Sequence, residues 1–350
     1  MSARHKPISD QVIVITGATS GIGLATAREA AARGAAVVLA ARNGDALERV
    51  AADIRDRGGA ALAVAADVSR REDHERLAET AVAAFGRIDS WVNNAGQTIF
   101  GRIEEISDAD HRRLFEVNFW GCVYGSTVAV RHLRRSGGAL VNLGSVASDT
   151  AFPIQGMYCA TKHAIKGFTD ALRMELQSED APVTLTLIKP AAINTPLPEN
   201  ATNYMDRRPS LPPPVYAPED VAAAILHAAE HGGRDIYVGG GARLLSSAGW
   251  HVPRATDWMG ARFGGALQSR DGDDPDRAGT LYEPGQGGEV HGTSPHPVMR
   301  SAYTQAVMHP LLAAPPVAGA GLTAALLLRL ASGGTAGRAT VRLGRRSPAR

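Results

Sequence analysis

A tyrosine and a lysine stand four residues apart in the stretch Tyr158–Lys162 (YCATK). On a helix this spacing puts both side chains on one face, where the ammonium would favour the phenolate and lower the pKa of the tyrosine. A phenol titrates near pH ~10, so a lowered pKa would suit a general acid or base at neutral pH. The alternative is a surface lysine beside a half-buried tyrosine. The pair therefore indicates proton-transfer chemistry if other residues agree.

Two further polar residues could serve the same reaction. Ser145 ends an apolar run, and a hydroxyl at the carboxyl end of a strand could hydrogen-bond a substrate oxygen. Asn118 lies in the helical stretch Asp108–Arg134 and needs a polar partner if it is buried. A water molecule bridging Asn118 and Lys162 would satisfy both and provide a proton path. The alternatives are a turn serine and an exposed helix residue.

A glycine-rich turn follows the first predicted strand and opens the first predicted helix. Glycines let the backbone approach a pyrophosphate, and the helix N-terminus supplies unpaired N–H groups and the positive end of a dipole. The turn therefore predicts a dinucleotide site. Its predicted contacts are Thr16, Gly17, Ser20, Gly21, Ile22 and Gly23.

Arg42 follows the second predicted strand, at the place where an adenosine ribose would lie. An acidic residue there would bind the 2′-hydroxyl of NAD, whereas an arginine accommodates the 2′-phosphate of NADP. Because Ala41 stands where an aspartate could be expected, the sequence favours NADP(H) over NAD(H). The alternative is a solvated arginine in an arginine-rich chain.

The ends of the third and fourth predicted strands carry further candidates. Asp67 and Val68 are placed to hold the adenine, although an aspartate at a strand end is also a common turn former. Asn93, Ala95 and Gly96 belong to an NNAG stretch, in which small residues would let the backbone lie against the cofactor. The asparagine amides there would tie adjacent strands together.

Short apolar runs alternate with stretches of helical length from Gln11 to about Gly240. Near-continuous apolar runs are typical of parallel strands buried on both faces, and the alternation implies βαβ units with helices on both faces of a sheet. The predicted strands are Val12–Thr16, Ala36–Ala40, Ala61–Ala66, Ile88–Asn94, Ala139–Ser145, Val183–Pro190 and, more weakly, Asp235–Gly239.

The composition excludes several classes of protein. A net charge of +2 over 350 residues gives no electrostatic argument for nucleic acid. The two cysteines, Cys122 and Cys159, have no CxxC spacing, which argues against a disulfide framework or a metal site and fits a reducing compartment. The N-terminus lacks the apolar region of a secretory signal, so we expect a cytoplasmic protein.

The character of the chain changes after Gly240. Arg270–Gly292 is rich in glycine, aspartate and proline, and we expect it to be mobile or disordered. Leu311–Leu328 carries no charge and precedes a basic tail, which predicts membrane association. Prolines and glycines weaken that helix, so the alternative is an alanine-rich helix packed on the domain or on a partner subunit. We predict a catalytic domain at 8–245 and an extension at 246–350.

Taken in order, these segments resemble the short-chain dehydrogenase/reductase family over about Gln11–Gly240. The motifs that carry the resemblance are Thr16–Gly23 (TGATSGIG), Asp67, Asn93–Gly96 (NNAG), Asn118, Ser145, Tyr158–Lys162 (YCATK) and Pro190–Pro196 (PAAINTP). The resemblance implies an α/β Rossmann fold with a doubly wound, seven-stranded parallel sheet. A C-terminal extension would follow it.

The resemblance also implies a catalytic tetrad. Tyr158 would be the acid/base, and Ser145 would polarise the carbonyl. Lys162 would lower the pKa of the tyrosine and hold the nicotinamide ribose, and Asn118 would seat the relay water.

Further cofactor contacts follow from the same resemblance, namely Pro190, Ile193, Thr195 and the backbone of Asn93–Gly96. Two positions depart from the family or one of its branches. Ser20 stands where the extended branch, often acting on nucleotide sugars, has a glycine, so the single-domain branch fits better. Ala191 replaces the glycine that usually follows the proline, and its methyl group is expected to shift the backbone slightly.

The predicted function is an NADP(H)-dependent oxidoreductase that interconverts a carbonyl and an alcohol, with reduction favoured in the cell. A homo-oligomer is expected. The alternatives are a nucleotide-sensing protein without chemistry and a membrane-tethered partner-binding protein. Neither alternative explains why both Tyr158 and Lys162 are present.

The substrate is predicted to be a small molecule, and a hydrophobic one would suit the residues beside the motifs. Phe100, Phe152, Pro153 and Met157 suggest an apolar pocket wall, although ordinary core packing explains them equally well. The proline-rich stretch Pro196–Pro218 is placed to act as a lid over the substrate or as a rigid connector to the next helix.

Overall fold

The computed structural model describes residues 5–272 and 278–309. Residues Met1–Gln305 form one compact unit, which extends past residue 245, and a second unit runs from Ala306 to Arg350. The boundary predicted at residue 245, as the limit of a separate domain, stays a prediction. Within the described ranges, no helix has both the length and the apolar character needed to cross a bilayer. The predicted membrane segment 311–328 lies outside them.

Seven parallel strands form the central sheet, as predicted. They are β1 (Val12–Thr16), β2 (Ala36–Ala41), β3 (Ala60–Ala65), β4 (Ser90–Asn93), β5 (Gly138–Leu143), β6 (Val183–Pro190) and β7 (Asp235–Val238). Their order across the sheet is β7-β6-β5-β4-β1-β2-β3. The order reverses between β1 and β4, and in such sheets ligands bind beyond the carboxyl ends of the strands at this place.

Helices connect the strands of the sheet, and in the described part of the chain four more helices follow the last strand. They are α1 (Gly21–Ala32), α2 (Gly44–Asp56), α3 (Arg71–Phe85), α4 (Asp108–Phe115), α5 (Gly121–Ser136), α6 (Gly156–Ser178), α7 (Pro218–His231), α8 (Gly240–His251), α9 (Pro253–Met259), α10 (Gly265–Leu267) and α11 (Ala302–Met308). Single π turns join α4 to α5 (Glu116–Trp120) and α9 to α10 (Gly260–Gly264).

Short elements complete the described chain. Three 3₁₀ turns span Ile8–Asp10, Ile103–Glu105 and Val146–Ser148. Two-residue strands pair outside the main sheet at Ile99–Phe100, Ala192–Ile193, Thr202–Asn203, Arg208–Pro209, Val215–Tyr216, Ser269–Arg270 and Val298–Met299. Several of them lie in the connections that follow β4 and β6, at the carboxyl edge of the sheet.

Local sequence explains where several helices begin and end. Asn43 caps α2, because its side-chain oxygen accepts a hydrogen bond from the amide of Ala46 at 3.0 Å. Helix α3 ends at Gly86, whose φ of 76° places it in the left-handed region that favours glycine. Helix α7 begins with Pro218, which suits a first helical position because its missing N–H would have no helical partner.

The core lies in the middle of the sheet and between the sheet and its helices. Val14, Val38, Trp91 and Leu140 come from four neighbouring strands, and each is fully buried. Ile13 and Ile15, on the opposite face of β1, are fully buried as well, and burial on both faces is why the central strands are mostly apolar. The core therefore holds the carboxyl ends of β1–β6 rigidly at one edge.

The expectation that Arg270–Gly292 is mobile or disordered is wrong for residues 278–292. Leu281 is fully buried against Ile99, Ile106 and Leu114. Backbone carbonyls of the same segment accept hydrogen bonds from side chains near the sheet edge, Arg42 among them. These long-range contacts supply the stabilisation that the composition of the segment does not indicate.

Candidate active site

A cavity of about 700 Å³ lies at the carboxyl edge of the sheet. It runs from the glycine turn after β1, past the ends of the neighbouring strands, to Tyr158 on α6. The predicted dinucleotide turn and the predicted acid/base tyrosine therefore line the same cavity. A cavity of this size suits a bound small molecule or cofactor.

The glycine turn has the shape that a dinucleotide requires. Gly17 has a φ of +67°, and a Cβ there would lie 2.8 Å from the Cα of Ala95. A Cβ on Gly23 would lie 2.1 Å from the carbonyl oxygen of Gly17. Larger residues at these two positions would push the turn away from β4 and α1. The turn therefore fits the pyrophosphate of a dinucleotide at the N-terminus of α1.

Most of the predicted cofactor contacts line this cavity. They are Gly17, Ser20, Gly21, Ile22, Arg42, Asp67, Val68, Ala95, Gly96, Tyr158, Lys162, Pro190, Ile193 and Thr195. Ala191, the departure from the family pattern, also lines it.

Three predicted contacts, Thr16, Gly23 and Asn93, support the cavity wall from behind. The hydroxyl oxygen of Thr16 accepts hydrogen bonds from the backbone amides of Asn94 and Ala95, at 3.0 and 3.1 Å. The amide of Asn93 donates to Asn142 Oδ1 at 2.9 Å and thereby ties β4 to β5. These residues shape the wall because buried polar groups must find partners inside the protein.

The two residues predicted to hold the adenosine have protein partners. The guanidinium of Arg42 donates to the carbonyl oxygens of residues 280–283. Asp67 forms an ion pair with Arg113, with 2.8 Å between Nη2 and Oδ2. Burial raises the pKa of Asp67, but hydrogen bonds from Arg113 and Ser69 outweigh it and hold that pKa below its ordinary value. Sequence reasoning missed Arg113, since nothing local distinguishes it from the other arginines.

Ser145 and Tyr158 meet at the other end of the cavity. Ser145 caps the turn Val146–Ser148, and its side-chain oxygen accepts a hydrogen bond from the amide of Ala147 at 3.1 Å. Tyr158 lies in the first turn of α6, and its side chain and that of Ser145 both line the cavity. A substrate oxygen in this part of the cavity could contact both hydroxyl groups.

The expectation that the pKa of Tyr158 is lowered is wrong in its net direction. Burial raises the pKa of Tyr158 from 10.0 to about 12, and the nearby Ser145 hydroxyl offsets only part of the rise. Lys162 Nζ lies 5.7 Å from the centroid of the tyrosine ring. The phenol is therefore neutral at pH 7, which suits a proton donor.

Lys162 is buried, with 5% of its surface exposed, and its Nζ donates to the carbonyl oxygen of Leu143 at 2.8 Å. Burial lowers the pKa of Lys162 from 10.5 to about 8. The side chain is therefore mainly an ammonium at pH 7. Any change that buries it further, or removes the Leu143 contact, would favour the neutral amine.

Asn118 lies in the π turn between α4 and α5, a type of irregularity common at functional sites. Its amide donates to the carbonyl oxygen of Gln97 at 2.9 Å and to Thr161 Oγ1 at 3.1 Å. Its Oδ1 and Lys162 Nζ approach the same side of Gly96. Asn118 is thus close to Lys162 and held by protein partners, and the relay water stays a prediction.

The substrate end of the cavity is mostly apolar. Phe152 and Pro153 line it, as do residues of the proline-rich stretch after β6. Phe100 is instead a buried residue near the hydrophobic cluster against which Met157 packs, so core packing explains both better. The proline-rich stretch contributes Pro196, Leu197, Leu211, Pro212, Pro213 and Pro214 to the wall.

Sequence reasoning missed the wall formed by α8–α10. Leu245, Met259, Phe263 and Leu267 line the cavity, and each is between 41% and 49% exposed. The last three recur every four residues, a spacing that places them on one helical face and could have signalled this wall. They add apolar surface to the lining of the cavity.

A buried ion pair fixes the loop that carries Ser145. Lys189 on β6 lies within 3.1 and 3.2 Å of the two carboxylate oxygens of Asp149, and both side chains are almost completely buried. Tyr237 and Ser246 also donate to Asp149, at 2.8 and 2.7 Å. Burial raises the pKa of Asp149, but these hydrogen bonds and Lys189 outweigh it and keep that pKa low. The pair thus joins this loop to β7 and α8.

Replacing Asp149 with asparagine is expected to lower the free energy of unfolding by about 3 kcal/mol, because the buried Lys189 charge would lose its close carboxylate. Only the more distant carboxylate of Asp235, at 3.9 Å, would remain. Thermal and urea unfolding would measure the loss. Asp53→Asn, which affects partly exposed pairs with Arg57 and Arg28, is the control and should cost below about 1 kcal/mol. Equal losses in the two variants would contradict the importance of the buried pair.

The chain is similar to known proteins over most of its length. The family model for short chain dehydrogenase matches residues 11–205. An uncharacterized oxidoreductase, YxnA, of Bacillus subtilis is 44% identical over 90% of this chain and 90% of its own. An 11-beta-hydroxysteroid dehydrogenase A of Sesamum indicum is 40% identical over 54% of each chain.

A solved structure agrees with these matches. The alcohol dehydrogenase from the archaeon Thermococcus sibiricus, complexed with 5-hydroxy-NADP, superposes with a TM-score of 0.57 and 29% identity. The match covers 65% of this chain and 95% of that one. Sequence, fold and cavity agree, and the chain belongs to the short-chain dehydrogenase/reductase family, whose members are NAD(P)-dependent oxidoreductases.

Proposed function

We propose that this protein interconverts an apolar carbonyl compound and its alcohol, with Tyr158 as the acid/base and NADP(H) as the preferred cofactor. The observation that carries the proposal is that Ser145, Tyr158 and Lys162 line the same cavity that begins at the glycine turn. The nicotinamide, when bound, supplies or accepts the hydride.

The side chains at this end divide the remaining chemistry between them. Tyr158, neutral at pH 7, donates a proton to the carbonyl oxygen during reduction and recovers it from solvent. Ser145 donates a hydrogen bond to the same oxygen as negative charge develops there. The Lys162 ammonium, held by the carbonyl of Leu143, places a positive charge beside the reacting groups.

The proposed substrate is hydrophobic because the wall beyond Tyr158 offers mainly carbon surface. Phe152, Pro153, Phe263 and Leu267 lie there, and few polar groups could replace the hydration of a polar substrate. The similarity to hydroxysteroid dehydrogenases supports a bulky apolar alcohol or ketone. A cytoplasmic location, assembly into a homo-oligomer and membrane association through 311–328 remain predictions from the sequence.

A substrate screen tests this proposal. Apolar cyclic ketones, steroid ketones and small polar ketones would be offered with NADPH and NADH, and the corresponding alcohols with NADP⁺ and NAD⁺. Absorbance at the nicotinamide band measures turnover, and we expect the apolar compounds to react with the higher kcat/KM. Binding of the dinucleotide without turnover of any compound would favour the nucleotide-sensing alternative.

The preference for NADP(H) is proposed from the position of Arg42. Replacing it with aspartate is expected to weaken NADPH binding on the order of 100-fold, because charge-assisted hydrogen bonds to the 2′-phosphate are lost and a like charge is added. NADH affinity should change much less. Titration of nicotinamide fluorescence would measure both. Arg70→Asp makes the same charge change at the exposed N-cap of α3 and is the control; an unchanged NADPH-to-NADH ratio in Arg42→Asp would contradict the contact.

A further inference from the structure

Residues 278–292, here called the strap, pass along the nucleotide end of the cavity. Leu281 is fully buried with Ile99, Ile106 and Leu114. The hydroxyl of Tyr282 donates to Asp110 Oδ1 at 2.8 Å, and the amide of Thr280 donates to the carbonyl oxygen of Asn200 at 2.8 Å. The strap is therefore attached to the domain by side-chain burial and by hydrogen bonds.

Carbonyl oxygens of the strap accept hydrogen bonds from donor groups that a bound dinucleotide would also use. Nη1 of Arg42 donates to the carbonyl oxygens of Leu281 and Tyr282, at 3.2 and 2.7 Å, and Nη2 donates to those of Thr280 and Glu283. The terminal nitrogens of a guanidinium carry four of its five N–H groups. A 2′-phosphate on Arg42 would therefore compete with four carbonyl oxygens of the strap.

The glycine turn shows a second contact of the same kind. The amide of Gly21, at the N-terminus of α1, donates to the carbonyl oxygen of Glu289 at 2.9 Å, and the amide of Gly288 donates to the carbonyl oxygen of Thr19 at 2.8 Å. The amide of Gly21 belongs to the helix terminus that suits a pyrophosphate. Strap carbonyls thus occupy two separate donors of the nucleotide site. The Gly21 donor faces the pyrophosphate that NAD(H) and NADP(H) share, so only the contact with Arg42 can distinguish the two cofactors.

The strap also leaves room beside these contacts. Thr280, Pro284, Gly285 and Gly287 line the cavity of about 700 Å³ rather than fill it. A dinucleotide with a free 2′-hydroxyl has no phosphate there to accept hydrogen bonds from the four N–H groups of Arg42. It could bind while the carbonyls of residues 280–283 keep their partner.

We propose that the strap is a determinant of cofactor choice, because a 2′-phosphate must displace its carbonyls from Arg42 and a 2′-hydroxyl need not. The inference rests on the proposed contact between Arg42 and the 2′-phosphate. The apparent affinity for NADP(H) is the intrinsic affinity multiplied by the fraction of molecules in which the strap is open. A strap that is mostly closed therefore lowers the apparent affinity. Weakening the strap, with Arg42 left intact, should therefore tighten NADP(H) binding selectively.

Leu281→Ala in the full-length chain tests this inference. Loss of a buried side chain weakens strap closure, and we expect the Kd for NADPH to fall on the order of tenfold. The Kd for NADH should fall about threefold at most, because NADH gains only the Gly21 amide and not the Arg42 donors. Leu133→Ala, a fully buried truncation in α5 outside the cavity, controls for general loosening. No fall in the NADPH Kd, or the same change for both dinucleotides, would overturn the proposal.

A milder variant keeps the test decisive if Leu281→Ala does not fold. Tyr282→Phe removes the hydrogen bond to Asp110 and should lower the NADPH Kd about threefold, by the same reasoning. Tyr124→Phe, whose ring stacks on Trp120 outside the cavity, is its matched control. The same Kd for NADPH in both tyrosine variants would count against the strap.

Hydrogen exchange provides a readout that does not depend on a variant. The amide of Thr280 is hydrogen-bonded to Asn200 beside the Arg42 contact and should exchange faster with NADP⁺ bound than with NAD⁺ bound. Equal protection with both cofactors would refute displacement. Failure of the proposed contact between Arg42 and the 2′-phosphate can be told apart from failure of the strap proposal. If the contact does not exist, Arg42→Asp leaves the ratio of NADPH to NADH affinity unchanged. If only the strap proposal fails, Arg42→Asp still changes that ratio.

Discussion

Replacing Tyr158 with phenylalanine is expected to lower turnover by about 10²–10⁴-fold, because the general acid is lost while the ring that lines the cavity is kept. Cofactor affinity should stay within twofold. Ser145 lines the same cavity, so removal of the phenol hydroxyl leaves Ser145 as the remaining donor to the substrate oxygen. The residual rate therefore measures what positioning and Ser145 achieve without a proton donor.

Single-turnover kinetics with saturating NADPH would measure the change in Tyr158→Phe. Tyr124→Phe removes the same group outside the cavity and should keep the rate of the unaltered protein. Because burial raises the pKa of Tyr158 to about 12, the phenol stays protonated between pH 6 and 10, and its titration should not shape the reduction rate there. A Tyr158→Phe variant that retains more than a tenth of the rate would disprove the acid/base role.

Replacing Lys162 with methionine is expected to lower turnover by about 10²–10³-fold, because a buried positive charge next to the reacting groups is lost at similar side-chain length. The pH dependence makes the role of the charge specific. Burial lowers the pKa of Lys162 from 10.5 to about 8, so the ammonium predominates below pH 8 and is lost as the pH rises through that value. The reduction rate should fall with this loss.

The rate of reduction between pH 6 and pH 10 would test the role of Lys162. The unaltered protein should show a plateau below pH 7 and a decline centred near pH 8, whereas Lys162→Met should show no such decline. Lys166→Met is the control, since Lys166 pairs with Asp170 on the surface of the same helix. If Lys162→Met keeps the decline near pH 8, another group causes it and the assignment is wrong.

The parallel strands were predictable because burial on both faces leaves a continuous apolar run in the chain. All seven predicted runs became strands of the sheet, and the glycine turn lies between β1 and α1. Tyr158 and Lys162 lie together on α6 because a spacing of four is a property of the helix itself. Local periodicity determines each of these features.

The wall of the cavity was less predictable. Phe100 and Phe152 are both aromatic residues next to motifs. Phe152 lines the cavity, whereas Phe100 is buried and does not line it. Thr16 and Asn93 belong to the motifs but serve the wall from behind. Which side of a strand end faces the ligand depends on the packing of neighbouring elements, and the residue types do not record it.

By itself the amino-acid sequence determined the α/β class of the fold, the glycine turn and the placement of Tyr158 and Lys162 on one helix, since local patterns of residues encode all three. Only the tertiary structure decided the direction of the Tyr158 pKa, which follows from burial of the phenol. It also decided the partners of Arg42, which are backbone carbonyls 238 to 241 positions away. Because every residue has a backbone carbonyl group, the residue types do not indicate which carbonyls Arg42 will contact. These contacts are determined only when the chain has folded.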